Sequence, residues 1–155
     1  MYVKEYTAHI DAPPEVAFAT AVDPELQSGG RLRTEVVNET PDGVGSEYRF
    51  YFKVLGMRLG RGTYRYSEYV PNQRVRMEMS GGGLAMLLTG GPAASTWIFE
   101  PADGGTDVIV RPEFKTRIPV VNQLARRMMM RSWRTRDLPQ LKADVEKRAK
   151  LAAKA

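Results

Sequence analysis

From Gly43 the chain runs Gly-Val-Gly-Ser-Glu-Tyr-Arg-Phe-Tyr-Phe-Lys-Val, a glycine turn followed by strict alternation. Tyr48, Phe50, Phe52 and Val54 fall on one face, and Arg49, Tyr51 and Lys53 on the other. A period of two with aromatic bulk on one side predicts an antiparallel strand over 46–55 with one dry face. The same period recurs along the chain. Residues 3–10 and 32–39 alternate loosely, and 58–69 put Tyr64 and Tyr66 together. Arg74 to Met79 alternates with Val75, Met77 and Met79 dry. Residues 94–100 carry Trp97 and Phe99, and 106–114 make a last strand. Thr40-Pro41-Asp42-Gly43, Val70-Pro71-Asn72-Gln73 and Ala102-Asp103-Gly104-Gly105 are turn signals between these runs.

Two stretches have the longer helical period. Pro13-Pro14-Glu15-Val16 opens a short helix, because proline in a first turn gives up an N–H that has no partner there anyway. That helix ends near Asp23-Pro24, and Glu25-Leu26-Gln27 add a second short one before Ser28-Gly29-Gly30. Val121, Leu124, Met128, Thr135, Leu138, Leu141 and Val145 recur at helical spacings and form one stripe of a helix over 120–149. Pro139 lies inside it, so a kink or break is expected there. Residues 150–155 read as a basic, frayed tail.

Composition narrows the chemistry. The length, 155 residues, suits one domain over 1–155 that hides about 70% of its unfolded surface. With no cysteine, disulfides and thiolate metal sites are excluded, and one histidine cannot build a histidine-rich metal centre. No metal and no cofactor is expected. No apolar run approaches the roughly 20 residues of a membrane span, and the first residues lack a signal-peptide pattern, so a cytoplasmic location is expected. The net charge of +5 is uneven: residues 1–110 hold 10 Lys/Arg and 14 Asp/Glu, whereas 111–155 hold 13 and 4. Such a basic end is either a solvated helix face or a surface for anionic lipid; no nucleic-acid motif accompanies it.

Five motifs in order carry a resemblance: Ile10-Asp11-Ala12-Pro13-Pro14-Glu15-Val16, Gly43-Val44-Gly45, Glu68-Tyr69-Val70-Pro71-Asn72-Gln73-Arg74-Val75, Phe99-Glu100-Pro101-Ala102-Asp103-Gly104-Gly105-Thr106, and Asp137-Leu138-Pro139-Gln140-Leu141-Lys142. With the element order, the chain resembles the SRPBCC superfamily of START-like helix-grip proteins, and within it the polyketide cyclase/dehydrase and lipid-transport group. The resemblance implies an α+β helix-grip fold: a curved seven-stranded antiparallel sheet around a long C-terminal helix, with two short helices after strand 1. It also implies an apolar cavity between sheet and helix. Strand parity carries its lining onto Tyr48, Phe50, Phe52, Tyr64, Tyr66, Met77, Met79, Trp97, Phe99, Leu124 and Met128.

The resemblance leaves function open, because one scaffold hosts binders, carriers and cyclases. The first expectation is a binder of a small hydrophobic ligand: lipid, isoprenoid, quinone or polyketide-like. The alternative is a polyketide cyclase, aromatase or dehydratase in the same cavity, with Tyr48, Tyr64 or Tyr66 placing or protonating the substrate. A filled core is the plain reading of the same stripe. The sequence singles out no catalytic residue and no oligomeric state. No nucleophilic triad, phosphate loop or metal spacing is present in the sequence. His9 points by parity to the convex side, as do Arg49 and Arg65, while Glu68 shares parity with Tyr64 and Tyr66, which would take it to the cavity end, but a carboxylate facing the following turn is the favoured reading. The apolar run 84–88, between glycine clusters, is a hinged lid, a membrane-touching loop or an ordinary strand extension. Met129, Met130 and Trp133 fall partly outside the stripe, which fits a helix buried on two sides, or contact with the sheet edge, a partner or lipid.

Overall fold

Each alternating run becomes a strand. In the computed structural model, β1 is Tyr6–Ile10, β2 Leu32–Asn38, β3 Glu47–Val54, β4 Met57–Val70, β5 Arg74–Gly81, β6 Ala94–Ala102 and β7 Gly105–Glu113. The residues described are 5–26, 32–54, 56–81, 94–113, 120, 123–124, 127, 131 and 133–155; the side chains at 32, 52–54, 58–60 and 133 lie outside this description. The strands make one seven-stranded sheet in the order β1-β7-β6-β5-β4-β3-β2. All six pairings are antiparallel. The α+β helix-grip architecture expected from the resemblance is therefore present.

Three register shifts bend this sheet. They fall between Val36 and Asn38 on β2, opposite Tyr51/Phe52 on β4, and between Tyr66 and Glu68 on β4. An extra residue in one strand increases local twist and also exchanges which side chains face which way. Beyond the shift at Ser67, Tyr69 and not Glu68 pairs with the buried Val75. Of the two readings of Glu68, the turn-facing one holds. Glu68 pairs with Arg74 at 2.5 Å, and the Tyr69 ring joins the core.

The first helix, α1, spans Pro14–Ala21 and buries Ala17, Phe18 and Thr20. Where a second short helix was expected there is a turn over 24–26, with the Leu26 N–H donating to the Asp23 carbonyl at 3.1 Å; residues 27–31 lie outside the description. The terminal helix, α2, spans Leu138–Ala153 and runs through most of the segment expected to fray. It buries Leu138 and Val145 against the sheet and α1. An Arg148–Asp23 ion pair ties its outer side to the turn after α1.

Pro139 shapes what precedes α2. A proline at 139 cannot donate to the carbonyl four residues back and its ring crowds that carbonyl. Trp133–Asp137 accordingly form a π-helical segment directly before Leu138. The Thr135 hydroxyl meanwhile donates to the Arg131 carbonyl at 2.7 Å. Such a wide turn inserts extra chain and rotates whatever lies upstream relative to α2. The single stripe expected over 121–145 is therefore not one stripe: Leu138 and Val145 are buried, but Thr135 is exposed and Leu124 is 62% exposed.

Candidate functional site

The concave face of the sheet is built from cross-strand pairs. Tyr48 pairs with Tyr64, Phe50 with Gly62, Tyr64 with Met79 and Tyr66 with Met77; Val75 pairs with Trp97 and Phe99 with Val108. Directly paired residues share a face, so parity places these side chains on one surface. The Tyr64 ring stacks on Tyr48 (centroids 5.1 Å apart, planes at 19°) and on Phe50 (6.3 Å, 30°). Tyr66 meets Tyr48, Tyr64 and Tyr69 edge to face at 5.9, 5.8 and 5.4 Å. Phe18 of α1 closes one end, edge-on to Tyr69 at 5.2 Å and to Phe99 at 5.3 Å.

Two glycines make room for these rings. A Cβ on Gly62 would stand 2.9 Å from Phe50 Cε1 and Cε2, so the missing side chain lets that ring lie across β4. Gly43 has φ +82°, and a Cβ there would stand 2.5 Å from the Tyr69 ring. The loop it belongs to is latched to β4: the Gly45 N–H donates to the Tyr66 carbonyl at 2.7 Å, and the Tyr66 N–H to the Ser46 carbonyl at 3.0 Å.

The hydroxyls have distinct fates. Tyr48 Oη donates to Glu39 Oε1 at 3.0 Å, and Tyr66 Oη makes a long 3.5 Å contact with the Val22 carbonyl. Tyr64 Oη and Thr34 Oγ1 are buried with no hydrogen-bond partner among the described residues. Burial first, then the neighbouring Glu39, pushes the Tyr48 phenol up to about 12. Burial also raises Tyr64, Tyr66 and Tyr69 above the usual tyrosine range; for Tyr64 the neighbouring Tyr48 adds to this and the Thr34 hydroxyl acts the other way. All four phenols stay neutral at physiological pH.

Of the lining expected from sequence, Tyr48, Phe50, Tyr64, Tyr66, Met77 and Phe99 are buried together, with Met79 and Trp97 partly buried against them. Phe52 on β3 pairs with Leu59, but its side chain lies outside the description. Met128, Met129 and Met130, the side chain of Trp133 and the run 84–88 also lie outside it. Leu124, also expected in the lining, is exposed. Sequence reasoning missed Tyr69, Phe18, Thr34 and Glu39. Thr34 had a readable signal, its parity in β2, whereas Tyr69 was hidden by the shift at Ser67.

His9 lies on the opposite, convex face. Its Nδ1 is 2.7 Å from Asp107 Oδ1 and its Nε2 is 3.3 Å from Asp11 Oδ1. The hydrogen bond to Asp107 leads the causes that raise its pKa. A histidine raised in the folded state stabilises it fully below its unfolded pKa of about 6.5, and loses that contribution as pH rises through the folded value. Replacing His9 by Asn is therefore expected to lower Tm at pH 5.5 and leave it nearly unchanged at pH 9. Equal shifts at both pH values, measured by thermal unfolding, contradict this.

Among the described residues no three His, Asp or Glu side chains are placed to hold a metal ion, and no helix is long and apolar enough to cross a membrane.

The family model described as polyketide cyclase / dehydrase and lipid transport matches residues 3–150. No curated protein sequence matches the chain. Solved structures similar to it include Ara h 8.0201, at 18% identity and TM-score 0.68, covering 94% of this chain and 98% of that one. Another is the Zhui aromatase/cyclase from Streptomyces sp. R1128, at 17% identity and TM-score 0.68, covering 95% and 94%. A protein from Arthrobacter aurescens is similar at 15% identity and TM-score 0.69, covering 95% and 92%. At these identities the structural likeness speaks for the fold.

Proposed function

The chain belongs to the polyketide cyclase / dehydrase and lipid transport family, and from that premise we propose that it binds a small hydrophobic ligand between the concave sheet face and the C-terminal helix. The observation carrying this reading is the aromatic surface of β3 and β4, where Tyr48, Phe50, Tyr64 and Tyr66 gather on one face with neutral hydroxyls among them. Mostly apolar walls with few polar groups suit a lipid, isoprenoid, quinone or polyketide-like molecule. Native mass spectrometry of the purified protein is expected to find one apolar molecule bound per chain, or one equivalent of a fluorescent fatty acid taken up. Neither a bound species nor uptake overturns the proposal.

The tyrosine shifts also bear on binding versus catalysis. An efficient general acid or base has a pKa near the working pH, and these phenols are displaced away from it. They favour a binder. The Zhui protein is named an aromatase/cyclase; a cyclase, aromatase or dehydratase acting on a polyketide-like chain would have to work here by positioning.

A second reading concerns described positions ahead of α2. Val120, Leu124, Arg127, Arg131 and Arg134 follow at spacings of four and three, and all are exposed, Val120 at 78% and Leu124 at 62%. Exposed apolar residues in line with arginines suit the surface of an anionic membrane. Co-sedimentation with phosphatidylserine-containing vesicles is expected, weakening severalfold between about 50 and about 500 mM salt. Binding indifferent to salt, or to lipid charge, refutes it.

A further inference from the structure

Tyr64 is 4% exposed, and its hydroxyl has no hydrogen-bond partner among the described residues. The Thr34 hydroxyl, on the same face of the neighbouring edge of the sheet, is in the same state. The two hydroxyls are close enough for Thr34 to act on the Tyr64 phenol, yet fall short of a well-formed hydrogen bond to each other. A buried hydroxyl left so costs about 1–3 kcal/mol, which favours a third oxygen that bonds both. The Tyr64 ring is already stacked on Tyr48 and Phe50, which leaves its hydroxyl as the free end.

We propose that Tyr64 and Thr34 form a two-hydroxyl anchor for a single oxygen, a phenol, alcohol or ketone, on an otherwise apolar ligand. Resting on the binding reading above, this names the ligand class: one oxygen at the end of a hydrocarbon body, with no charge. Both hydroxyls donate and accept, so the anchor takes either a carbonyl or a hydroxyl. An anionic head is disfavoured, because no cation on the concave face of β3 or β4 accompanies the pair among the described residues; Arg49, Arg61 and Arg65 alternate with the dry positions.

Two probes of one shape test it: 2-naphthol, which carries the oxygen, and 2-methylnaphthalene, which replaces it with a methyl group. Wild-type protein is expected to bind 2-naphthol about tenfold more tightly, as one well-made hydrogen bond allows. Tyr64→Phe and Thr34→Val each reduce that ratio toward one, while Tyr51→Phe, whose hydroxyl bonds Glu35 on the other face, leaves it unchanged. Ligand-free Tyr64→Phe is expected to melt at or above the wild-type temperature, since it removes an unpaired buried group. Equal binding of both probes by wild type overturns the anchor and leaves the binding function standing. Binding of neither overturns both. A fall in the Tm of Tyr64→Phe by more than about 5 °C also overturns the anchor, because it shows the hydroxyl used within the fold.

Discussion

Replacing Tyr66 by alanine is expected to destabilise the fold by about 3–5 kcal/mol, the usual loss for a large buried ring. Tyr66 is 1% exposed and is the ring that touches Tyr48, Tyr64 and Tyr69 together. No neighbour collapses easily into the space it leaves, since the rings around it are held by their own strands and by Phe18. For a chain of 155 residues the loss corresponds to a fall in Tm of roughly 6–20 °C. Tyr66→Phe separates ring from hydroxyl. The hydroxyl makes only a 3.5 Å contact with the Val22 carbonyl, so phenylalanine is expected to cost less than about 1 kcal/mol. Urea unfolding of both variants decides the matter. If phenylalanine is as damaging as alanine, the hydroxyl and not the aromatic packing holds this end of the site.

The second large effect is expected from Gly105→Ala at the β6–β7 hairpin. A Cβ at 105 would run into the Ile10 carbonyl oxygen and stand 3.1 Å from His9 Nε2. The main obstacle is backbone, which cannot swing aside as a side chain would. β1 must therefore move away from β7 where Ile10 pairs with Thr106. A cost of about 3 kcal/mol is expected, at the upper end for a forced fit. The neighbouring Gly104 is a control within the same turn. It has φ +77° with nothing near its absent side chain, and asparagine tolerates that conformation, so Gly104→Asn is expected to cost under about 1 kcal/mol. Hydrogen exchange along β1 distinguishes the mechanism: faster exchange at Ala8 and Ile10 in Gly105→Ala alone supports it, and equal protection in both variants refutes it.

These two positions illustrate how differently the molecule reads from sequence. Tyr66 was legible, because period two around Tyr64 and Tyr66 marks a dry strand face whatever the strand pairs with. Gly105 was legible only as a turn residue; its tight approach to Ile10 joins residues 95 positions apart and has no local signature. The same contrast holds at the site. Tyr48, Phe50, Met77 and Phe99 follow from parity, while Tyr69 does not, because an extra residue at Ser67 exchanges the faces and pairing alone reveals it.

Alternation and turn residues were enough to set the number of strands, their order along the chain, their antiparallel sense and the aromatic side of β3 and β4. Those properties depend on neighbours a few residues away, which any stretch of chain carries within itself. Partners across the sheet were settled elsewhere. The shifts that bend it, the exposure of Leu124, and the unpaired hydroxyls of Tyr64 and Thr34 arise when distant segments meet. Register, helix phase and hydrogen-bond satisfaction are properties of pairs of segments, so they come into being only when the sheet closes around its helix.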